Sequence, residues 1–183
     1  MPLWSEFGVS FQRQIVLKGR DVDTGSRPLN AAFDEIVQPN ASFRLFTGLT
    51  ELAEALAHAG RIAEALALVE AGIEQSERGW LTPELLRLKG ELFLLQNSSA
   101  VAQTTEDLFR QAQDGARRQG TLSWELRAAT SLARLLHQQG RPADGIACLG
   151  PVYDRFTEGF GAADLIAAKQ LLDDLGDLTR PHS

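Results

Sequence analysis

Residues 49–77 constrain this chain more than any other stretch, because LTELAEALAHAGRIAEALALVEAGIEQSE reads as two amphipathic helices joined at a glycine corner. Apolar residues recur at three- and four-residue intervals on both sides of Gly60, which is the spacing of one helix face. Two helices alone cannot cover each other's apolar faces. The pattern therefore predicts further helix pairs stacked beside this one.

The composition fits a single domain built from such pairs. A soluble fold of 183 residues buries roughly 70% of its unfolded surface, so it needs no metal or disulfide for stability. The one cysteine, Cys148, excludes an internal disulfide and is typical of a reducing compartment. Eighteen basic residues against 24 acidic ones give a net charge of −6, which argues against nucleic acid as a partner of the whole surface.

The sequence carries no recognisable export signal or membrane-spanning segment. The opening MPLWSEFG lacks a basic run followed by an apolar core, and nowhere do about 18 apolar residues run together. We therefore expect a cytoplasmic protein without a membrane partner.

Helical periodicity covers the chain, and no stretch alternates apolar and polar residues for the length of a strand. The sequence predicts an all-α fold with helix-pair units at about 3–39, 42–78, 82–119 and 121–156 and a capping helix at about 163–175. Thr82 is the predicted N-cap of its helix, and Pro151 is expected to bend the helix of about 143–156. The last helix should place Ile166 on its apolar side and stop at Gly176.

Small and large residues recur in phase around four equivalent corners, Ser26, Gly60, Asn97 and Gly140, which are 34, 37 and 43 residues apart. Seven positions before each corner stands a small residue: Gly19, Ala53, Gly90 or Ala133. Four positions before each corner stands a bulky apolar residue: Val22, Leu56, Phe93 or Leu136. A three-residue insertion aligns Thr105 with Ala65 and Gly145, Phe109 with Val69 and Leu149, and Ala112 with Gly72 and Val152. Small residues at these points predict close helix crossings.

This phasing resembles the tetratricopeptide repeat (TPR) family over residues 12–156, and the first separation equals that family's period. Glu35, Gln38 and Lys89 depart from it, because they stand where the family usually has apolar or small residues. The resemblance implies a right-handed superhelix, an α-solenoid of about four helix pairs, with a concave face that binds a protein or peptide.

A second resemblance lies in the C-terminal half. The phrases ELLRLKGELFL (residues 84–94), SWELRAATSLARLLHQQGR (123–141) and PVYDRFTEGFGAADLIAAKQLLDDL (151–175) are similar to the C-terminal helical repeats of large bacterial signalling ATPases and adenylate-cyclase-like regulators. This resemblance implies a sensory or scaffolding segment and not the catalytic part of such proteins.

No motif predicts catalysis, a cofactor or a bound metal. A Walker loop is absent from the sequence, and Gly159-Phe160-Gly161 follows a helix where a dinucleotide loop needs a strand. The three histidines lack metal-ligand spacing; His58 and His137 are expected to meet helix-end carbonyls. Cys148 is predicted to be a core residue, and Asp173-Asp174 a solvated face.

The predicted binding surface is the concave face, which in stacked pairs is lined by polar positions of each first helix. Its candidate residues are Arg13, Glu54, His58, Arg87, Glu91, Arg127, Arg134 and His137. Arginines there could grip a carboxylate of a peptide in bidentate fashion. The alternative is that they pair with Glu84, Glu91 and Glu125 and only keep the surface soluble.

The expected function is non-catalytic scaffolding by protein–protein interaction, in bacterial signalling or transcriptional regulation. The partner would be a peptide or protein, including a preceding ATPase or cyclase domain or a second copy, to which the aromatic first helix (Trp4, Phe7, Phe11) could bind. The alternative is a ligand-sensing regulatory segment of a larger signalling ATPase or adenylate cyclase.

Overall fold

The computed structural model describes residues 42–75, 79–96 and 102–179, and every regular element in these ranges is an α-helix, so the all-α prediction is confirmed. The chain divides into the units Met1–Leu45 and Phe46–Ser183, and the contacts below lie within the second. The predicted unit at 3–39, with Arg13 and Gly19, falls outside the described residues. The helices are α1 Ser42–His58, α2 Ile62–Gln75, α3 Thr82–Leu95, α4 Ala102–Gln119, α5 Leu122–Gln138, α6 Pro142–Tyr153 and α7 Ala163–Thr179.

Three helices end in the same glycine cap. Gly60, Gly120 and Gly140 have φ angles of 75°, 71° and 74°, a conformation that costs little without a Cβ atom. In each cap the next amide N–H donates to a carbonyl five residues back, as Arg61 does to Leu56 at 2.9 Å and Arg141 to Leu136 at 2.8 Å. These are Schellman motifs, and they turn the chain tightly into the following helix.

Packing follows chain order, with a second layer of contacts between alternate helices. From α2 onward each helix packs on the next, and α3 also packs on α5 and α5 on α7. At the start, Gly72 of α2 lies where an added Cβ would be 3.0 Å from Leu49 of α1 and 3.2 Å from Leu85 of α3. The odd-numbered helices therefore lie beside one another, with even-numbered helices between them in sequence.

The positions that the sequence aligned after each corner are all buried. These are Ala65, Val69 and Gly72 of α2, Thr105, Phe109 and Ala112 of α4, and Gly145, Leu149 and Val152 of α6. Allowing for the three-residue insertion therefore identified the buried residues of α4 correctly.

Two of the small residues before the corners, Gly90 and Ala133, lie at close helix crossings. Ala53 and Ala133 are buried, and an added Cβ at Gly145 of α6 would be 3.3 Å from the carbonyl oxygen of Ala133. At Gly90 of α3 a Cβ would lie 2.5 Å from the ring of Phe109 in α4, too close for any side chain without movement. These residues set how closely α3 approaches α4 and α5 approaches α6.

Four local predictions were wrong. α7 continues through Gly176 to Thr179, and Ile166 is 44% exposed. Thr82 is the first residue of α3; its N-cap is Leu81, without a side-chain cap bond. α6 ends at Tyr153 instead of about residue 156, two residues after Pro151, whose ring nitrogen cannot donate a hydrogen bond. None of the helices in the described ranges has the length and apolarity to cross a bilayer.

Candidate binding surface

A row of charged side chains with one serine crosses the four odd-numbered helices, and we call it the odd-helix face. It is formed by Glu54 of α1, Glu84, Arg87 and Glu91 of α3, Arg127 and Ser131 of α5, and Asp164 of α7. Because these helices lie side by side, residues far apart in sequence are joined into one network of ion pairs.

Glu84 and Arg87 form the buried centre of this network. Both are nearly buried, and the guanidinium of Arg87 binds the carboxylate of Glu84 in bidentate fashion, with Nε–Oε2 at 3.0 Å and Nη2–Oε1 at 2.8 Å. Glu91 and Glu54 lie farther away, at 3.5 and 3.6 Å. Burial by itself would lower the pKa of Arg87, but its bonds to Glu84 and the neighbouring carboxylates outweigh burial and raise it.

Arg127 links this centre to the next odd helices. Its Nη1 lies 2.8 Å from Oε1 of Glu84, while Glu54 and Asp164 are each 3.9 Å from its guanidinium. Glu84 is thus ion-paired with one arginine of its own helix and with one arginine of α5. A buried carboxylate needs such partners, because removing one of them would leave a buried charge uncompensated.

The exposed part of the odd-helix face is acidic. The face contains four carboxylates and two guanidinium groups. Its most exposed side chains are Glu54 at 45%, Glu91 at 35% and Asp164 at 57%. Burial, together with the charge of Glu54, raises the pKa of nearby Glu51. Arg87 is buried and Arg127 is one-third exposed, so the three exposed carboxylates outnumber the one partly exposed guanidinium and this face presents net negative charge to solvent.

The network unites half of the residues predicted to line the concave face. Glu54, Arg87, Glu91 and Arg127 lie within it. Arg134 and His137 are exposed on α5, with no ion pair in the described part of the chain. Nδ1 of His58 lies 2.7 Å from the carbonyl oxygen of Glu54, the helix-end contact that the sequence suggested.

Two of the predicted arginines, Arg87 and Arg127, already bind a carboxylate of this chain. Arg87 and Arg127 both direct their shortest contacts to Glu84, which corresponds to the self-pairing alternative. Glu125, also named in that alternative, pairs elsewhere: it is buried between Arg117 of α4 at 2.9 Å and Arg155 at 2.6 Å.

A third buried acid repeats this arrangement, and sequence reasoning missed it. Glu106 of α4 accepts hydrogen bonds from Arg110, four residues on, and from Arg141 at the start of α6 at 2.9 Å. Burial favours a higher pKa for Glu106, yet the two arginines prevail and lower it. The signal in the sequence was an acid within the apolar side of α4, with an arginine one helical turn later.

A groove of about 520 Å³ lies along α4 and α6, away from the odd-helix face, and we call it the α4–α6 groove. Cys148 lies in its wall, where the thiol donates to the carbonyl oxygen of Gly145 at 3.2 Å. Burial raises the pKa of this thiol to about 11, so it is protonated at neutral pH and a poor nucleophile.

Comparison with known proteins returned no match to this chain among family models, curated proteins or solved structures. The contacts described above are therefore the basis on which its function is inferred.

Proposed function

We propose that this chain is a non-catalytic protein-interaction module of TPR type, an α-solenoid of about four helix pairs closed by α7, and that it acts in bacterial signalling or transcriptional regulation. The observation that carries the proposal is the odd-helix face, because four helices contribute to one continuous polar surface. In a solenoid, adjacent first helices form such a surface and present it to a partner.

The in-phase burial of α2, α4 and α6 and the glycine caps support the solenoid. A repeat protein makes most contacts between neighbouring units, and the packing of each helix on the next and on the next but one is of that kind. The small residues Gly90 and Ala133 at successive crossings favour the same architecture over a closed bundle.

The odd-helix face is complementary to a partner that presents basic residues. Glu54, Glu91 and Asp164 expose carboxylates, while Arg87 and Arg127 are satisfied by Glu84. A peptide or helix carrying lysine or arginine would gain charge-assisted hydrogen bonds to these carboxylates. Because the carboxylates are exposed, the attraction should weaken as salt screens it.

The test is selection of peptides from a random display library against the purified chain. We expect the selected peptides to be rich in lysine and arginine, and to bind weakly to a triple variant with Glu54→Gln, Glu91→Gln and Asp164→Asn. A loss of about tenfold or more in affinity is expected for three removed charge pairs.

A matched control separates local contacts from net charge. Glu74→Gln, Asp107→Asn and Glu158→Gln remove three exposed acids that lie outside the odd-helix face. This control should bind the selected peptides as the parent does. If both triple variants lose affinity equally, or if neither does, the odd-helix face is not the binding surface.

The second candidate is a ligand-sensing regulatory segment of a larger signalling ATPase or adenylate cyclase, and the observation that favours it is the α4–α6 groove. Its volume is that of small-molecule sites. A sensor would gain thermal stability from its ligand, whereas a pure scaffold would gain none from any metabolite in a panel.

A further inference from the structure

Arg127 of α5 lies where carboxylates of the three other odd-numbered helices meet. Its Nη1 is 2.8 Å from Glu84 of α3, its Nη2 is 3.9 Å from Glu54 of α1, and its Nε is 3.9 Å from Asp164 of α7. Each nitrogen of the guanidinium therefore faces an acid of a different helix. Since α1 and α7 are the first and last of the four helices in this row, one side chain spans the odd-helix face.

The contacts of Arg127 differ in strength. The contact with Glu84 has the length of a hydrogen bond, whereas 3.9 Å is too long for one. Glu84 is nearly buried, but Glu54 and Asp164 are exposed to solvent, where an ion pair contributes little. Arg127 is thus anchored through Nη1 to Glu84, while its contacts with the two outer acids can be exchanged at small cost.

The position between Glu54 and Asp164 suits a basic group, and a guanidinium of this chain already occupies it. A lysine or arginine of a partner would be drawn to the same two carboxylates and would meet the positive charge of Arg127 there. Arg127 is one-third exposed, whereas Arg87 is nearly buried. Arg127 is therefore the arginine of this face that a basic partner encounters.

We propose that Arg127 is an autoinhibitory residue of the odd-helix face. Its guanidinium competes with the basic group of a partner for Glu54 and Asp164, and a bound partner displaces these two contacts. The anchor to Glu84 keeps the arginine in place when no partner is bound. This inference rests on the proposed binding of basic peptides at the odd-helix face, and it assigns to that site an internal competitor.

Two substitutions at this position separate competition from charge. Arg127→Gln removes the positive charge, whereas Arg127→Lys keeps it but has one nitrogen in place of three and cannot face all three carboxylates at once. In fluorescence anisotropy titrations, we expect the basic peptides selected against the parent to bind Arg127→Gln about fivefold and Arg127→Lys about twofold more tightly. An arginine with only a structural role would give the opposite sign, a loss of affinity in both variants.

The matched controls are Arg118→Gln and Arg118→Lys, because Arg118 is an exposed residue of α4 outside the odd-helix face. Both should bind the peptides as the parent does. Arg127→Lys leaves Glu84 with two cations, so it should fold even if Arg127→Gln does not. The inference is overturned if Arg127→Lys binds no more tightly than the parent, or if the variants of Arg118 gain as much affinity as those of Arg127.

Failure of this inference can be told from failure of the proposed function. If the peptides lose affinity for the triple variant of the odd-helix face but gain none for Arg127→Lys, the face binds them and Arg127 does not compete. If the triple variant binds them as the parent does, the odd-helix face is not their site, and the autoinhibitory role of Arg127 is excluded with it.

Discussion

Oε1 of Glu84 on α3 and Nη1 of Arg127 on α5 lie 2.8 Å apart, so one nearly buried carboxylate joins two odd-numbered helices that are separated in sequence by the whole of α4. The same carboxylate is bound by Arg87 of its own helix. Ion pairing with Glu84 thus engages both arginines of the odd-helix face, while Glu54, Glu91 and Asp164 stay partly or largely exposed.

The first prediction concerns Glu84→Gln, which keeps the shape of the side chain and removes its charge. Arg87 is then left nearly buried without its main counterion, and breaking a buried pair in this way costs about 3 kcal/mol. Urea unfolding should show this loss. The control is Asp173→Asn, which breaks an exposed pair with Lys169 and should leave the unfolding midpoint almost unchanged. Similar midpoints for both variants would contradict a structural role for Glu84.

The second prediction compares two glycines within helices. Gly90→Ala should destabilise the fold by about 1–2 kcal/mol, because the clash with Phe109 exceeds the roughly 1 kcal/mol gained in helix propensity. Gly176→Ala has open space around its new methyl group and should stabilise the fold by up to about 1 kcal/mol. Chemical unfolding of both variants gives the signs directly. A stabilising Gly90→Ala would mean that α3 and α4 do not cross closely there.

The third prediction is acid sensitivity through Glu106. Since its folded-state pKa is lowered from the ordinary value of 4.5, its stabilising contribution is fully present above that pH and is lost as pH falls through the folded-state pKa. Urea midpoints measured from pH 7 down to about pH 3 should therefore fall more steeply for the parent than for Glu106→Gln. Parallel pH profiles would show that Arg110 and Arg141 do not stabilise the charged form.

The fourth prediction concerns the reactivity of Cys148. With its pKa raised to about 11, the thiol should react with iodoacetamide at pH 8 much more slowly in the folded protein than in urea. Mass spectrometry follows this single site directly. Labelling at the rate of a free cysteine would contradict the burial of the thiol, which lies 3.8 Å from the carbonyl oxygen of Ala129 in α5.

Local sequence patterns were sufficient to predict the helices of the described ranges, the corners at Gly60 and Gly140 and the phasing of the buried positions after them. These features depend on residues within one or two helical turns of each other. The end of α7 was mispredicted because a glycine within a helix costs only about 1 kcal/mol, which the burial of Leu175 in the same turn offsets.

The candidate site was harder to predict because its pairs join distant residues. Sequence analysis named Glu84 as one possible partner of the arginines, and Arg87 lies only three residues from it, but nothing local indicated that Arg127 of α5 also pairs with Glu84. The same holds for Glu106 with Arg141 and for Glu125 with Arg155, because Arg141 directly precedes α6 and Arg155 lies in the turn after it, both far from these acids in sequence. Which arginine meets which acid is set by how the helices stack, and periodicity does not encode it.

The central claim is that adjacent helices nest through small residues in phase, and the contact between Gly90 and Phe109 tests it most directly. In the NMR spectrum of the labelled protein, we expect a strong nuclear Overhauser effect between an α-proton of Gly90 and the ring protons of Phe109, because a Cβ at this glycine would lie 2.5 Å from that ring. Absence of this cross-peak, with both residues assigned, would contradict the nested crossing of α3 and α4 and with it the odd-helix face.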